Sequence, residues 1–230
     1  MDFSSTNLNR LRKVEFNFSL YLRKKISNVS RLIVPNKKIN IFVISILILG
    51  VITGSIFMTI INNNDKQVII NKISVFIQNI NNYNLDNTVS FKNSIITNFT
   101  YVIIIWILGM TIIGVIFNIF MTYIKGFVVG FSLTSFIVMY KTKGVILSFL
   151  YLIFGQLLNI FAVLLLMIYS ILFSTKMLKQ IFKDKTNTLS NFIKKYSFVL
   201  LIASVMSLIS SILETFVFPS LLKLVVKIFI

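Results

Sequence analysis

The stretch from residue 41 to residue 61, IFVISILILGVITGSIFMTII, carries no charge. As a helix, such a stretch covers the hydrocarbon core of a bilayer, about 30 Å. Lipid offers no partner for backbone polar groups, so a run of this kind closes its own hydrogen bonds as a helix. Further apolar runs follow, and 57% of the 230 residues are hydrophobic. The mean hydropathy is +0.90. A soluble domain has about 45–50% apolar residues even with glycine counted. The expected fold class is therefore all-α: a polytopic membrane protein with about five transmembrane helices.

Residues 1–40 form a basic amino-terminal arm, and residues 41–230 a single membrane domain. The arm carries nine positive charges, clustered at Arg10–Lys13 and Arg23–Lys25. Leu8, Leu11, Val14, Phe18 and Leu22 recur at spacings of three and four, the pattern of one helix face. Such a helix can lie on an anionic membrane surface; a loosely structured tail is the alternative reading. Pro35 should end any helix there. The arm is too long for the n-region of a cleavable signal, so residues 41–61 are expected to remain as an anchor.

Within the first span, Gly50-x-x-x-Gly54 lets helix backbones approach closely. Packing within the chain is expected, and a homo-oligomer stays open. Residues 62–98 read as the longest loop, on the far side of the membrane. Ile69, Ile73, Phe76, Ile77 and Ile80 predict an amphipathic interfacial helix within it, bounded by Asn62–Asn64 and Asn81–Asn82.

Residues 99–140 are almost continuously apolar, with one charge at Lys125. One helix of that length would measure about 63 Å, twice the hydrocarbon thickness. A turn at Tyr123–Gly126 is therefore expected, giving spans of 99–122 and 126–140, the latter short enough to be re-entrant. Gly109, Gly114 and Gly126-x-x-x-Gly130 again mark close packing. A fourth span is placed at 145–173 and a fifth at 196–218, ending near Glu214 and Pro219. The tail SLLKLVVKIFI reads as a separate interfacial helix.

A formal net charge of +17 would point to nucleic acid in a soluble protein. Here the basic residues sit between spans, where they set orientation and meet anionic lipid, so no nucleic-acid partner is expected. With the amino terminus cytoplasmic, five spans place 16 basic residues inside and 7 outside. That asymmetry obeys the positive-inside rule and puts the carboxyl terminus outside the cell.

The chain has no cysteine and no histidine, and its six acids are scattered. Thiolate chemistry, the usual zinc ligand sets and histidine acid–base catalysis are thereby excluded. No catalytic residue, cofactor or metal site is expected. Glu214 is the one acid beside an apolar span, and intramembrane ionisable groups are functional candidates by default. Placed near the outer end, it would face Lys141, Lys143 or Lys223; a structural ion pair and a partner contact stay open, with a proton relay less favoured. Ser204, Ser207 and Ser211 in span five, and Gln156 and Asn159 in span four, read as interhelical hydrogen-bonding groups. A substrate pathway would need more polar groups or paired broken helices, and neither is legible.

Three strings carry a family resemblance. They are Trp106-Ile107-Leu108-Gly109 with Ile113-Gly114, Lys125-Gly126-Phe127-Val128-Val129-Gly130-Phe131, and Glu214 with Pro219 five residues on. In this order and spacing the chain resembles the stage II sporulation protein M family over roughly residues 40–230. Family members carry a proline-bearing motif in the fourth span, ending in Pro-Ala; here Phe154–Ala162 lacks both prolines, so no role is carried onto Gln156 or Asn159. The resemblance implies a non-catalytic scaffold in the cell membrane, at the septum and the engulfing mother-cell membrane. Its implied partners are stage II sporulation proteins D and P, which remodel peptidoglycan during forespore engulfment. The rival reading is the membrane subunit of an ABC-type exporter, since homologous domains also occur outside spore formers.

Overall fold

A computed structural model of the chain describes residues 37–81, 86–182 and 189–229. The surface helix expected in the amino-terminal arm, its end at Pro35, and the lysines of 183–188 lie outside the described residues. Among the described residues every element is helical. Residues Ile41–Ile230 form one compact unit, separate from Met1–Asn40.

The helices are α1 (Lys37–Ile60), α2 (Asn63–Asn81), α3 (Asn87–Gly109), α4 (Gly114–Tyr140), α5 (Thr142–Leu150), α6 (Leu157–Phe182), α7 (Leu189–Ile212) and α8 (Phe218–Phe229). A π-helical turn, Tyr151–Gln156, joins α5 to α6, and another, Leu213–Val217, joins α7 to α8. Five stretches are long and apolar enough to cross a bilayer: Lys37–Ile60, Asn87–Gly109, Gly114–Tyr140, Thr142–Gln180 and Phe192–Val225. Their outward faces are apolar as lipid requires; Ile48, Phe57, Ile107, Phe120, Phe161 and Leu201 are all about half exposed.

The reading of five spans holds, but their boundaries move. The turn expected at Tyr123–Gly126 lies inside α4, and the real reversal is at Met110–Ile113. There the Thr111 hydroxyl donates to the Leu108 carbonyl and accepts from the Gly114 N–H, both at 2.9 Å, which satisfies the first N–H of α4. The second span begins at residue 87, because the Asp86 carboxylate accepts from the backbone N–H groups of Thr88 and Val89 at 2.9 and 3.2 Å. The expected loop of 62–98 therefore stops at Asp86. Residues 126–140 are the second half of a 27-residue helix about 40 Å long, which is long and apolar enough to cross a bilayer.

The fifth span does not stop at Pro219. Its helix continues through the π-turn into α8, absorbing the tail expected to be separate. Proline lacks the N–H that an unbroken α-helix would use and crowds the carbonyl four residues back. The wider turn immediately before Pro219 relieves both conflicts.

Helix α2 forms as the isoleucine spacing predicts. Its apolar face is covered by protein: Ile77 and Ile80 pack with Phe136, Leu147, Phe218 and Leu222. The reversal between α4 and α5 takes one residue, Lys141, held at φ 52°. Just beyond it, Gly144 lets α5 press against the Phe136 carbonyl of α4.

Candidate functional site

Helix α3 carries Asn87, Ser90, Asn93, Ser94, Thr97, Asn98 and Tyr101 at spacings of mostly three and four, so one polar stripe runs along its amino-terminal part. Its residues from Asn87 to Asn98 border a cleft of about 480 Å³, in the ordinary range for ligand sites. The opposite wall is aromatic: Tyr151 packs at centroid distances of 5.7 Å from Phe136 and 5.6 Å from Phe218. Phe76 of α2 and Pro219 also border it.

At the floor stand two opposite charges. Lys125 Nζ donates to Gln156 Oε1 at 2.9 Å and lies 5.7 Å from the centre of the Tyr101 ring. The Gln156 amide nitrogen donates to Glu214 Oε1 at 3.4 Å. Glu214 Oε2 accepts from Ser94 Oγ at 2.7 Å and from the Asn98 amide at 3.4 Å. Asn98 also donates to Ser211 Oγ at 2.9 Å and accepts from the Asn159 amide. Gln156, Asn159, Asn98 and Ser211 are all buried. Each charge is thus held through neutral amides and hydroxyls, as buried charges require.

Both π-turns meet at this tier. Gln156 ends the first and Glu214 sits in the second, and the two turns touch. The bonds Leu157 N–H to Leu152 carbonyl and Phe218 N–H to Leu213 carbonyl skip one residue beyond the α pattern. A widened turn frees carbonyls, and Gly155 uses its own to accept from Ser210 Oγ at 3.2 Å. Single π-turns within α-helices occur frequently at functional sites.

Below the polar tier the bundle closes. On α3 the order is Asn98, Val102, Ile105, Gly109; on α6 it is Asn159, Val163, Leu166, Ser170; on α7, read backwards, Ser207, Ala203, Val199, Tyr196. The middle pair on each helix is 0% exposed. These three helices pack together, so two apolar layers seal the inner end of the cleft. Beneath them a second polar cluster gathers: Asn118 donates to the Ile105 carbonyl at 2.8 Å and to Ser170 Oγ at 3.0 Å. Tyr196 donates to the Trp106 carbonyl at 3.2 Å.

The residues singled out in the sequence separate into three sets. Gly50 and Gly54 of α1 face Gly126 and Gly130 of α4, where an added Cβ would strike Tyr123, Phe127, Leu47 and Val51 backbone atoms. Thr53 and Tyr123 hydroxyls, 2.8 Å apart, lie beside that seam. Trp106 and Gly109 lie near Tyr196, and Gly114 lies at the α3–α4 reversal. Only Lys125, Glu214 and Pro219 share the cleft. Glu214 accordingly faces the Lys125 side of the bundle, and it accepts hydrogen bonds from Ser94, Asn98 and Gln156. Gln156 and Asn159, given no role from sequence, are central, and the fourth helix is widened there without a proline. Facing widened helices, which the sequence did not reveal, are present after all.

These features define a class: a helical membrane protein of five apolar spans, with a polar cleft sealed at its inner end. The chain belongs to the stage II sporulation protein M family, whose model matches residues 41–219 and so includes Lys125, Gln156 and Glu214. It is a sporulation-related, multi-pass membrane protein. No curated protein and no solved structure shows significant similarity to it.

Proposed function

We propose that the chain is a non-catalytic membrane scaffold that holds peptidoglycan-remodelling proteins, stage II sporulation proteins D and P, at the septal and engulfing membrane. The observation that carries this reading is the family match across 41–219. Chemistry supports it, because a chain without histidine or cysteine has few means of turnover.

In this reading the end of the bundle formed by α2, the α4–α5 reversal and the end of α8 faces outward. Counted along the sequence, 15 basic residues lie before or at the start of the first span or around the junction of the fourth and fifth, 7 belong to the segments at this end, and Lys125 lies within a span. The amino terminus is then cytoplasmic and the carboxyl terminus outside. Labelling of Lys143 from outside intact cells tests the orientation.

The functional test is a pull-down from sporulating cells combined with a fluorescent fusion. Recovery of D or P, and septal signal that then tracks the engulfing membrane, are expected. Failure to recover either, with normal engulfment in a deletion strain, refutes the scaffold. The rival reading, the membrane subunit of an ABC-type exporter, has to open the sealed inner end of the cleft. That reading expects ATP-dependent transport with a partner ATPase and a deletion strain that still engulfs.

A further inference from the structure

The two charges at the cleft floor are held apart, and this separation has a chemical meaning. A direct ion pair would satisfy itself. Here the Gln156 amide stands between Lys125 and Glu214. An ammonium has three donors, and one of those on Lys125 is committed to Gln156. The carboxylate has about four acceptor positions; Ser94 makes its one short bond, and the contacts from Asn98 and Gln156 are both 3.4 Å. Both charges border the cleft, so each retains bonding capacity toward whatever fills it.

We infer that the cleft is a binding site for a zwitterionic group, one bearing an ammonium and an anion a few bonds apart. Fully extended, the bridge from Lys125 Nζ through the amide to Glu214 spans at most about 9 Å. A ligand whose own charges lie about 3 Å apart, making charge-assisted hydrogen bonds of about 2.8 Å, can bridge the two groups at separations up to about that limit. Its anion faces Lys125 and its ammonium faces Glu214. The site as a whole is neutral, so a ligand with a single charge would leave one floor charge unanswered. Along the wall, Asn93 and Thr97 offer amide and hydroxyl partners, while Tyr151 and Phe218 offer apolar surface. The apolar layers of Val102, Ile105, Val163 and Leu166 seal the inner end, which makes this a site rather than a conduit. The inference goes beyond the scaffold reading and does not depend on it.

Two sources supply this chemistry, a water-soluble amino acid or a phosphatidylethanolamine headgroup, and one experiment separates them. The chain has no cysteine, so Thr97→Cys reports on the cleft wall and Ile96→Cys, 53% exposed on the lipid side, serves as control. The full chain is placed in vesicles of phosphatidylglycerol alone, or with phosphatidylethanolamine, and treated with a membrane-impermeant thiol reagent. In phosphatidylglycerol alone, Thr97→Cys should react much faster than Ile96→Cys. Glycine at ten times its dissociation constant should slow that reaction about tenfold, whereas acetate or methylammonium at the same concentration should not. If the lipid headgroup is the occupant, phosphatidylethanolamine alone gives the protection. Adding Glu214→Gln should abolish protection while leaving the cysteine reactive. Should that variant not fold, the comparison of glycine with the singly charged ions in Thr97→Cys still decides. An unreactive Thr97→Cys, equal reactivity under every condition, or equal protection by acetate or methylammonium would overturn the inference.

Discussion

Replacing the floor charges one at a time and together measures whether Lys125 and Glu214 act as a unit. Lys125 lies eleven residues from one end of α4 and fifteen from the other, near mid-span. A lysine there costs roughly 2.5–3.5 kcal/mol on insertion scales unless it is partnered. Glu214→Gln keeps the shape but removes the counter-charge and weakens the 2.7 Å bond from Ser94. Truncating one side of a buried pair costs about 3–5 kcal/mol. Both groups border an open cleft, so the expected loss is reduced to about 2–3 kcal/mol. Lys125→Met leaves the carboxylate with Ser94 and Asn98, and a smaller loss of about 1–2 kcal/mol is expected. The double variant has no unanswered charge and should lose only about 2 kcal/mol. The two single losses together exceed that figure by a coupling of about 2 kcal/mol. Reversible unfolding in mixed detergent micelles, with all four proteins compared, supplies the cycle. Additivity within about 0.5 kcal/mol would mean that water in the cleft screens the charges and that Gln156 links nothing.

Other expected outcomes test the frame around the site. Gly54→Ala places a methyl against the Phe127 backbone, which cannot yield as a side chain could; a loss of about 1–3 kcal/mol is expected from unfolding in the same micelles. Lys141→Gly relieves a backbone conformation at φ 52°, ψ −125° that costs a non-glycine residue about 1–3 kcal/mol, partly offset by glycine's own entropy, and should raise the thermal midpoint. Phe218→Ala removes an aromatic ring that packs with Ile77, Ile80 and Leu222. It should cost about 3–5 kcal/mol and speed amide exchange in α2 relative to α6. Replacing Ser94, Asn98, Gln156 and Glu214 by Leu together with Lys125→Met should leave the protein as stable as the parent, or more so. The same variant should fail to complement a deletion strain.

The class of fold is legible because residues 41–61 admit no other reading, and the glycine pairs at 50/54 and 126/130 stand out by spacing. Residues 87–98 read as loop for a physical reason. Average hydropathy sums over all faces of a helix, and α3 turns its polar stripe inward, so a window that scores as loop is half of a span. The misplaced turn follows from that. A run beginning at residue 99 has to be divided somewhere, and Lys125 is its one charge. Its partner, Gln156, lies 31 residues away, and no local pattern announces such a bond. The stripe at 87, 90, 94, 97 and 101 is the available signal. The widened turns leave almost none: Gly155 and Pro219 lie in and beside them, but residues of either kind are also ordinary in membrane helices.

The polar tier is hard to explain as a source of stability. Interhelical hydrogen bonds in membranes contribute on average only about 0.6 kcal/mol each, and two widened turns give up regular backbone bonding to bring Gln156 and Glu214 into range. The layers just below, built from Val102, Ile105, Val163, Leu166, Val199 and Ala203, already close the bundle by packing alone. A chain selected only to stand in a membrane could have continued that packing upward at no loss. Instead, Asn98, Gln156 and Glu214 take the next tier, and an open cleft rises from it toward the end where α2 and Pro219 sit. Groups that contribute little to the fold, yet require two helices to deform around them, are best accounted for by what they contact when the cleft is filled.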